Sequence, residues 1–243
     1  MKIGVDIGGT KTLILSEDSK RIEFPTPKES AKEFYDKISN GIKNMESDKA
    51  GISFAGVITE KGMVTLSPNI MNILDTNFFN EFKKRGIEII VENDANCFAL
   101  AKSKDLDTEN LVGIIIGTGV GAGIIINNKI YNGNSGYAGE IGHGKIFNGK
   151  EYEDLIAGAS FDSRNASKKE LEIWHINLSK LISQVCCFYN PKIIIFGGGL
   201  TNILDLKILK ANILKIIDED VLKGTKILID NNIDTCAKGA LHL

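Results

Sequence analysis

The chain has 243 residues, 43% of them hydrophobic and 25% charged, with a formal net charge of −2. This length and composition describe one large or two modest globular domains and exclude a disordered or fibrous chain. Lys and Arg are scattered, which argues against a polyanion such as nucleic acid as partner, and apolar runs such as 112–116 and 193–196 fall far short of the ~20 residues a membrane helix needs.

The opening Met1-Lys2-Ile3 enters a strand pattern at once and leaves no room for a signal peptide, so a cytoplasmic protein is expected. Residues 2–7 read as a strand, Gly8-Gly9-Thr10-Lys11-Thr12 as a tight turn, and Leu13-Ile14-Leu15 as the returning strand. A third strand is expected at 21–24. After Pro27, the spacing of Ala31, Phe34, Ile38, Ile42 and Met45 predicts an amphipathic helix. Strands at 51–56 and 87–91 and a helix at 77–85 follow, and Glu92-Asn93-Asp94 then leads into a helix over 95–103. The second half reopens the same way: a strand at 111–116, a turn at Gly117-Thr118-Gly119-Val120-Gly121 and a returning strand at 122–127. Asn127-Asn128 suits a two-residue hairpin. A long helix over 167–189, a strand at 192–196, a Gly197-Gly198-Gly199 loop, a helix over 203–217, a strand at 226–229 and a short last helix after 237 complete the chain. The repeated strand, glycine turn and strand predict a duplicated α/β lobe: 1–104 as a small N-terminal lobe and 105–243 as a larger one, with the last helix, about 236–243, able to pack back on the first.

A strand ending in small polar side chains and turning into a helix is where α/β proteins seat ligands, although Asn and Asp at such a joint also serve as helix caps. Glycine turns bring bare backbone N–H groups close to phosphate, and a Thr hydroxyl adds a donor; a plain hairpin turn is the alternative. Glu140-Ile141-Gly142-His143 sets a carboxylate beside an imidazole, able to hydrogen-bond vicinal hydroxyls. A capped surface histidine and, more weakly, a metal ligand are the other readings. The G-x-G-x-x-A run at 117–122 is followed by a strand rather than a helix, so it is not a dinucleotide fingerprint, and G-x-x-x-x-G-K-E at 144–151 lacks the Ser or Thr of a P-loop. Cys97, Cys186, Cys187 and Cys236 lack metal-binding spacing and read as small hydrophobes, while His175 and His242 read as surface or packing residues.

Together, Asp6-Ile7-Gly8-Gly9-Thr10-Lys11-Thr12, Glu92-Asn93-Asp94-Ala95-Asn96, the 117–121 turn, Glu140-Ile141-Gly142-His143, and Pro191 with 197–199 resemble, in order and approximate spacing, the ROK family of sugar kinases. The resemblance implies an actin-like ATPase fold (ribonuclease H-like) of two duplicated lobes with an interlobe cleft. It also implies ATP and magnesium as the phosphoryl-donor pair, a hexose acceptor and a homodimer. By position, Asp94 is then the catalytic base, and Asn69, Asn93, Glu140, His143 and Glu153 are sugar ligands. Asp6 orients magnesium through water. Gly8, Gly9, Thr10, Lys11, Thr12, Gly117, Thr118 and Gly119 hold phosphates, and Gly198 and Gly199 lie beside the adenosine. Glu92 should point away from Asn93 and is left out of the site. The family's C-x-C-G-x-x-G-C zinc motif is absent between His143 and Glu153, so no zinc is expected. The resemblance thus implies an ATP-dependent kinase acting on the 6-hydroxyl of a hexose or N-acetylhexosamine, glucose or N-acetylmannosamine foremost. A non-catalytic sugar-sensing regulator and an actin-like polymerising ATPase are the rival readings.

Overall fold

The computed structural model describes residues 1–67, 69–146 and 149–243. It divides into two compact units, Met1–Ala101 with Asp234–Leu243, and Lys102–Ile233. The first unit contains β1 (Ile3–Ile7), β2 (Lys11–Ser16), β3 (Arg21–Pro25), α1 (Ala31–Asn44), β4 (Lys49–Phe54), β5 (Val57–Ile58), β6 (Val64–Leu66), α2 (Phe78–Lys84) and β7 (Glu88–Asn93). Helix α3 (Asp94–Asp105) runs across the division. The second unit contains β8 (Leu111–Ile116), β9 (Val120–Ile126), β10 (Lys129–Ile130), α4 (Glu153–Ile156), α5 (Lys168–Tyr189), β11 (Ile193–Gly197), α6 (Leu206–Ile213), α7 (Glu219–Leu222) and β12 (Lys226–Ile229), and α8 (Thr235–Ala240) ends the chain in the first unit.

Each unit is built on a five-stranded sheet of the same design. The orders are β3-β2-β1-β4-β7 and β10-β9-β8-β11-β12. In both, the first three strands form an antiparallel meander and the last two are added in parallel by crossovers. The duplication expected from the two glycine turns therefore extends through all five strands, with β1 matched by β8 and β4 by β11. The two-residue strand β10, reached through left-handed Asn127 and Asn128, completes the second meander; it is too short to show as a period-2 pattern.

In the first unit, α1 is capped by the Ser30 hydroxyl and buries Phe34, Tyr35, Ile38 and Ile42. With Phe54, Phe78 and Phe82 they form a cluster of edge-on and tilted aromatic pairs, a geometry that favours the ring quadrupoles. In the second unit, α5 starts with a Ser167–Glu170 capping box and ends at left-handed Asn190, just before Pro191. It buries Trp174, Leu178, Leu181, Ile182 and Val185, and the Trp174 indole N–H donates to the Ile156 carbonyl at 2.9 Å.

Besides β10 and the one-turn helices α4 and α7, which the sequence pattern does not show, three further stretches depart from expectation. A β5–β6 hairpin follows β4, in a stretch that carries no strand signal of useful length. Strand β7 continues through Glu92 and Asn93, two residues beyond the apolar run. The single helix expected over 203–217 is a 3₁₀ turn at Gly199–Ile203 followed by α6. The break follows from Asp205, which accepts the Lys207 and Ile208 amides as a fresh cap and donates its own N–H to the His175 ring at 2.9 Å. His175 is a buried packing residue.

Glycine permits the closest approach in the first unit. A Cβ at Gly4 or Gly51 would run into the backbone carbonyls of Ala237 and Ala240 in α8, and one at Gly239 into the Cys97 carbonyl of α3. These glycines let α8 lie against β1, β4 and α3. Gly239→Ala should therefore cost about 1–3 kcal/mol through overpacking that rigid backbone cannot relieve, read as a lower urea midpoint.

Candidate active site

In the first unit the turn joining β1 to β2 has its carbonyls tied back. The Gly8 amide donates to the Lys11 carbonyl at 3.0 Å and the Thr26 amide to the Thr10 carbonyl at 3.0 Å, while the Thr26 hydroxyl donates to the Gly8 carbonyl at 2.7 Å. The Gly9 and Thr10 amides have no acceptor among the described residues. Such adjacent unpaired N–H groups form an anion-binding concavity. Gly9 must be bare for a second reason, since its Cα faces the Asn69 side chain so closely that a Cβ would overlap it. The predicted sugar ligand and the predicted phosphate turn thus touch. Lys11 pairs with Glu23 at 3.0 Å. Thr12 is fully buried with its hydroxyl 2.9 Å from that of Thr26, so it supports the turn from behind.

Asp6, the penultimate residue of β1, lies level with Ser53 of β4, whose buried hydroxyl donates to its Oδ1 at 2.8 Å. Protein packs densely around this carboxyl, and burial pushes it up to about 6; the Ser53 hydrogen bond opposes the rise and the nearby Asp94 charge adds to it. Ser53 carries no motif, and only its register with Asp6 reveals it. Glu92 accepts the Asn93 amide at 2.8 Å and the Asn96 side-chain amide at 3.0 Å, bracing the strand end. Asn93 Oδ1 accepts the Ala95 amide at 2.9 Å, and Asp94 Oδ1 accepts the same N–H at 2.8 Å. At Asn93 the side-chain oxygen caps α3, and the NH₂ group has no partner among the described residues.

The second unit repeats the carbonyl tie-back with other atoms. At its turn, the Gly117 and Thr118 carbonyls accept the Gly158 and Ala159 amides at 2.7 and 3.1 Å. The Thr118 and Gly119 amides have no acceptor among the described residues. Glu153 accepts the Val120 amide at 3.0 Å, and its carboxylate lies against both Gly119 and Gly142, joining the turn to the 140–143 segment. Gly198 adopts a left-handed φ of 94° over the Ile116 backbone, which places it and Gly199 beside the start of the turn.

Glu140 and His143 flank a 3₁₀ turn, Ile141–His143, with His143 Nε2 3.8 Å from Glu140 and Nδ1 2.8 Å from Glu151. The Glu151 hydrogen bond holds the imidazole above its ordinary pKa, with the charges of Glu153, Glu151 and Glu140 adding to the effect. Glu151 lies outside the five family-like motifs and figures in the sequence only as the last residue of the rejected 144–151 run. Phe147 and Asn148, in the shortened loop between His143 and Glu153, lie outside the described residues. No three His, Cys, Asp or Glu side chains are grouped to hold a metal ion among the described residues, and Asp6, a single carboxylate, suits a cation held through water.

Two amide-lined glycine turns on twin sheets of this topology define an actin-like ATPase fold. The ROK family model matches residues 2–154, and the chain belongs to that family. It is 27% identical over 259 residues to the N-acetyl-D-glucosamine kinase of Histophilus somni, covering 83% of this chain and 85% of the relative. Among solved structures it is similar to a ROK hexokinase from Thermus thermophilus, with a TM-score of 0.84 at 20% identity over 98% and 96% of the two chains. A ROK family glucokinase from Streptomyces griseus, solved with glucose and AMPPNP, gives a TM-score of 0.80 at 21% identity over 99% and 98%.

Asp6 has its folded pKa raised above the ordinary 3.8, so the stability it contributes is fully present below pH 3.8 and lost as pH rises through about 6. Without nucleotide or divalent cation, Asp6→Asn should be more stable than the parent at pH 8 by on the order of 3 kcal/mol. The gap should close toward pH 4, as checked by urea denaturation at the two pH values.

Proposed function

We propose that this sugar kinase of the ROK family transfers the γ-phosphoryl group of ATP to the 6-hydroxyl of an N-acetylhexosamine, with N-acetylglucosamine as the first acceptor to test and glucose and N-acetylmannosamine next. What supports the reading is a convergence within one unit. Asp94 lies close enough to Asp6 to raise its pKa, Asp6 leads directly into the amide-presenting turn, and Asn69 packs on Gly9 of that turn. The preference for an N-acetylated sugar rests on the Histophilus relative, an N-acetyl-D-glucosamine kinase.

Bound ATP supplies the phosphoryl group, and its magnesium neutralises charge on the phosphate oxygens. The residues of the chain bind and orient. Gly9 and Thr10 present amides to phosphate oxygens, as Thr118 and Gly119 do in the second unit, and Asp6 accepts hydrogen bonds from metal-bound water. Asn93 offers its NH₂ group to a sugar hydroxyl, because its oxygen is engaged by the helix start. Asp94 orients the 6-hydroxyl and accepts its proton late in the transfer. A carboxylate needs no raised basicity for this, since the hydroxyl acidifies as its oxygen bonds to phosphorus. Glu140, His143 and Glu153 are the proposed hydroxyl ligands of the second unit. With Nδ1 held by Glu151, the His143 ring directs Nε2 at a hydroxyl.

Asp94→Asn should lower kcat by about 10²–10⁴-fold while both KM values stay within a few-fold; near-normal turnover would remove Asp94 as the base. A coupled ADP-release screen over N-acetylglucosamine, N-acetylmannosamine, glucose, mannose and fructose should show turnover highest with an N-acetylated sugar. Silence with all five would sink the kinase reading.

A further inference from the structure

Thr26 belongs to none of the motifs above, yet it makes three contacts with the first glycine turn. It follows β3 between Pro25 and Pro27, which have no N–H, so the one amide of this tripeptide goes to the Thr10 carbonyl at 3.0 Å. Its hydroxyl has a single hydrogen, and this goes to the Gly8 carbonyl at 2.7 Å. The 2.9 Å contact with Thr12 is therefore donated by Thr12, giving a relay from the Thr12 hydroxyl through the Thr26 hydroxyl to the Gly8 carbonyl. Thr12 and Thr26 are both buried, so water does not substitute readily for either partner. The two proline rings fix φ on both sides of Thr26 and hold it as a rigid post.

We propose that Thr26 is a positioning residue for nucleotide binding, acting through the Gly8-Gly9-Thr10 turn; this rests on the reading of that turn as a phosphate cradle. By holding the Gly8 carbonyl to the rear, it turns the Gly9 amide of the same peptide outward, and its hold on the Thr10 carbonyl fixes the far end of the turn, so that the Gly9 and Thr10 residues between the two anchors keep their place. Without the hydroxyl, the Gly8 carbonyl is released and the peptide between Gly8 and Gly9 is free to rotate, taking the Gly9 N–H out of line.

The test compares Thr26→Val, which keeps shape and amide but loses the hydroxyl, with Thr26→Ser, which keeps the relay. Titration calorimetry with magnesium and AMPPNP is run beside ATP and sugar KM measurements and urea midpoints. Thr26→Val should weaken AMPPNP binding and raise the ATP KM about tenfold, with the sugar KM within about twofold, and Thr26→Ser should restore both. Unchanged AMPPNP binding in Thr26→Val, or equal losses for ATP and sugar, would overturn the proposal in favour of a purely structural role. Should Thr26→Val fail to fold, Thr12→Val removes only the rear donor of the relay. It should raise the ATP KM by a smaller factor, and an unchanged value would equally overturn the proposal. Failure of the parent chain itself to bind AMPPNP would overturn the cradle reading, and the proposal with it.

Discussion

The structure depends on where the carbonyl oxygens of two glycine turns go. A turn that offers N–H groups to an anion must keep its own carbonyls out of the way, and a buried carbonyl left unpaired costs about 1–3 kcal/mol. Each unit solves this with a segment that returns from later in the chain. Thr26 takes the Gly8 and Thr10 carbonyls in the first; the Gly158 and Ala159 amides take those of Gly117 and Thr118 in the second. The two sheets share strand order and direction, yet the braces are chemically different, the hydroxyl and amide of one threonine in the first and two successive backbone amides in the second. The shared feature is the orientation of the amides, reached by unrelated local sequences.

The same logic of prior satisfaction governs the carboxylates. Asp6 is buried enough to resist ionisation, and the Ser53 hydroxyl supports its charged form. A carboxyl held in this way costs stability once it ionises, through its desolvation and through the repulsion from Asp94. Close packing of α8 on Gly4 and Gly51 fixes the neighbouring strands, and Asp6 and Ser53 lie two residues farther along on the same face.

Much of this was legible in the sequence because it is written in residue types with few substitutes. Glycine at 8, 9, 117 and 119 marked both turns, and alternation and helical spacing marked the long elements α1 and α5. Asn93-Asp94 read ambiguously between cap and site because the two roles use different atoms of one side chain, which no pattern separates. What was missed acts through geometry alone. Ser53 is one of many serines until β4 is set beside β1, and Thr26 has no meaning until β3 folds back. The break before α6 depends on a hydrogen bond to His175, thirty residues away. Register and long-range closure are properties of the folded sheet, and a linear reading carries them weakly.

The shortened segment between His143 and Glu153 shows how a loop without a cysteine cluster is still ordered. A structural metal contributes folding free energy of a size that one exposed ion pair does not match. The His143–Glu151 pair, with the histidine side chain more than half exposed, is a minor fastening. The stronger constraint lies inward, where the Glu153 carboxylate accepts the Val120 amide against Gly119 and Gly142, and buried Tyr152 and Ile156 anchor α4 in the core beneath. Among the described residues the outer part is closed by a Lys145–Glu151 bridge and by the Ile146 amide donating to the Lys150 carbonyl at 2.8 Å, while its base is tied to the glycine turn. Any movement of Glu153 is transmitted to the Val120 amide and so to the turn that presents Thr118 and Gly119. In this chain the Glu153 carboxylate and the glycine turn of the second unit are joined through the Val120 amide as one element.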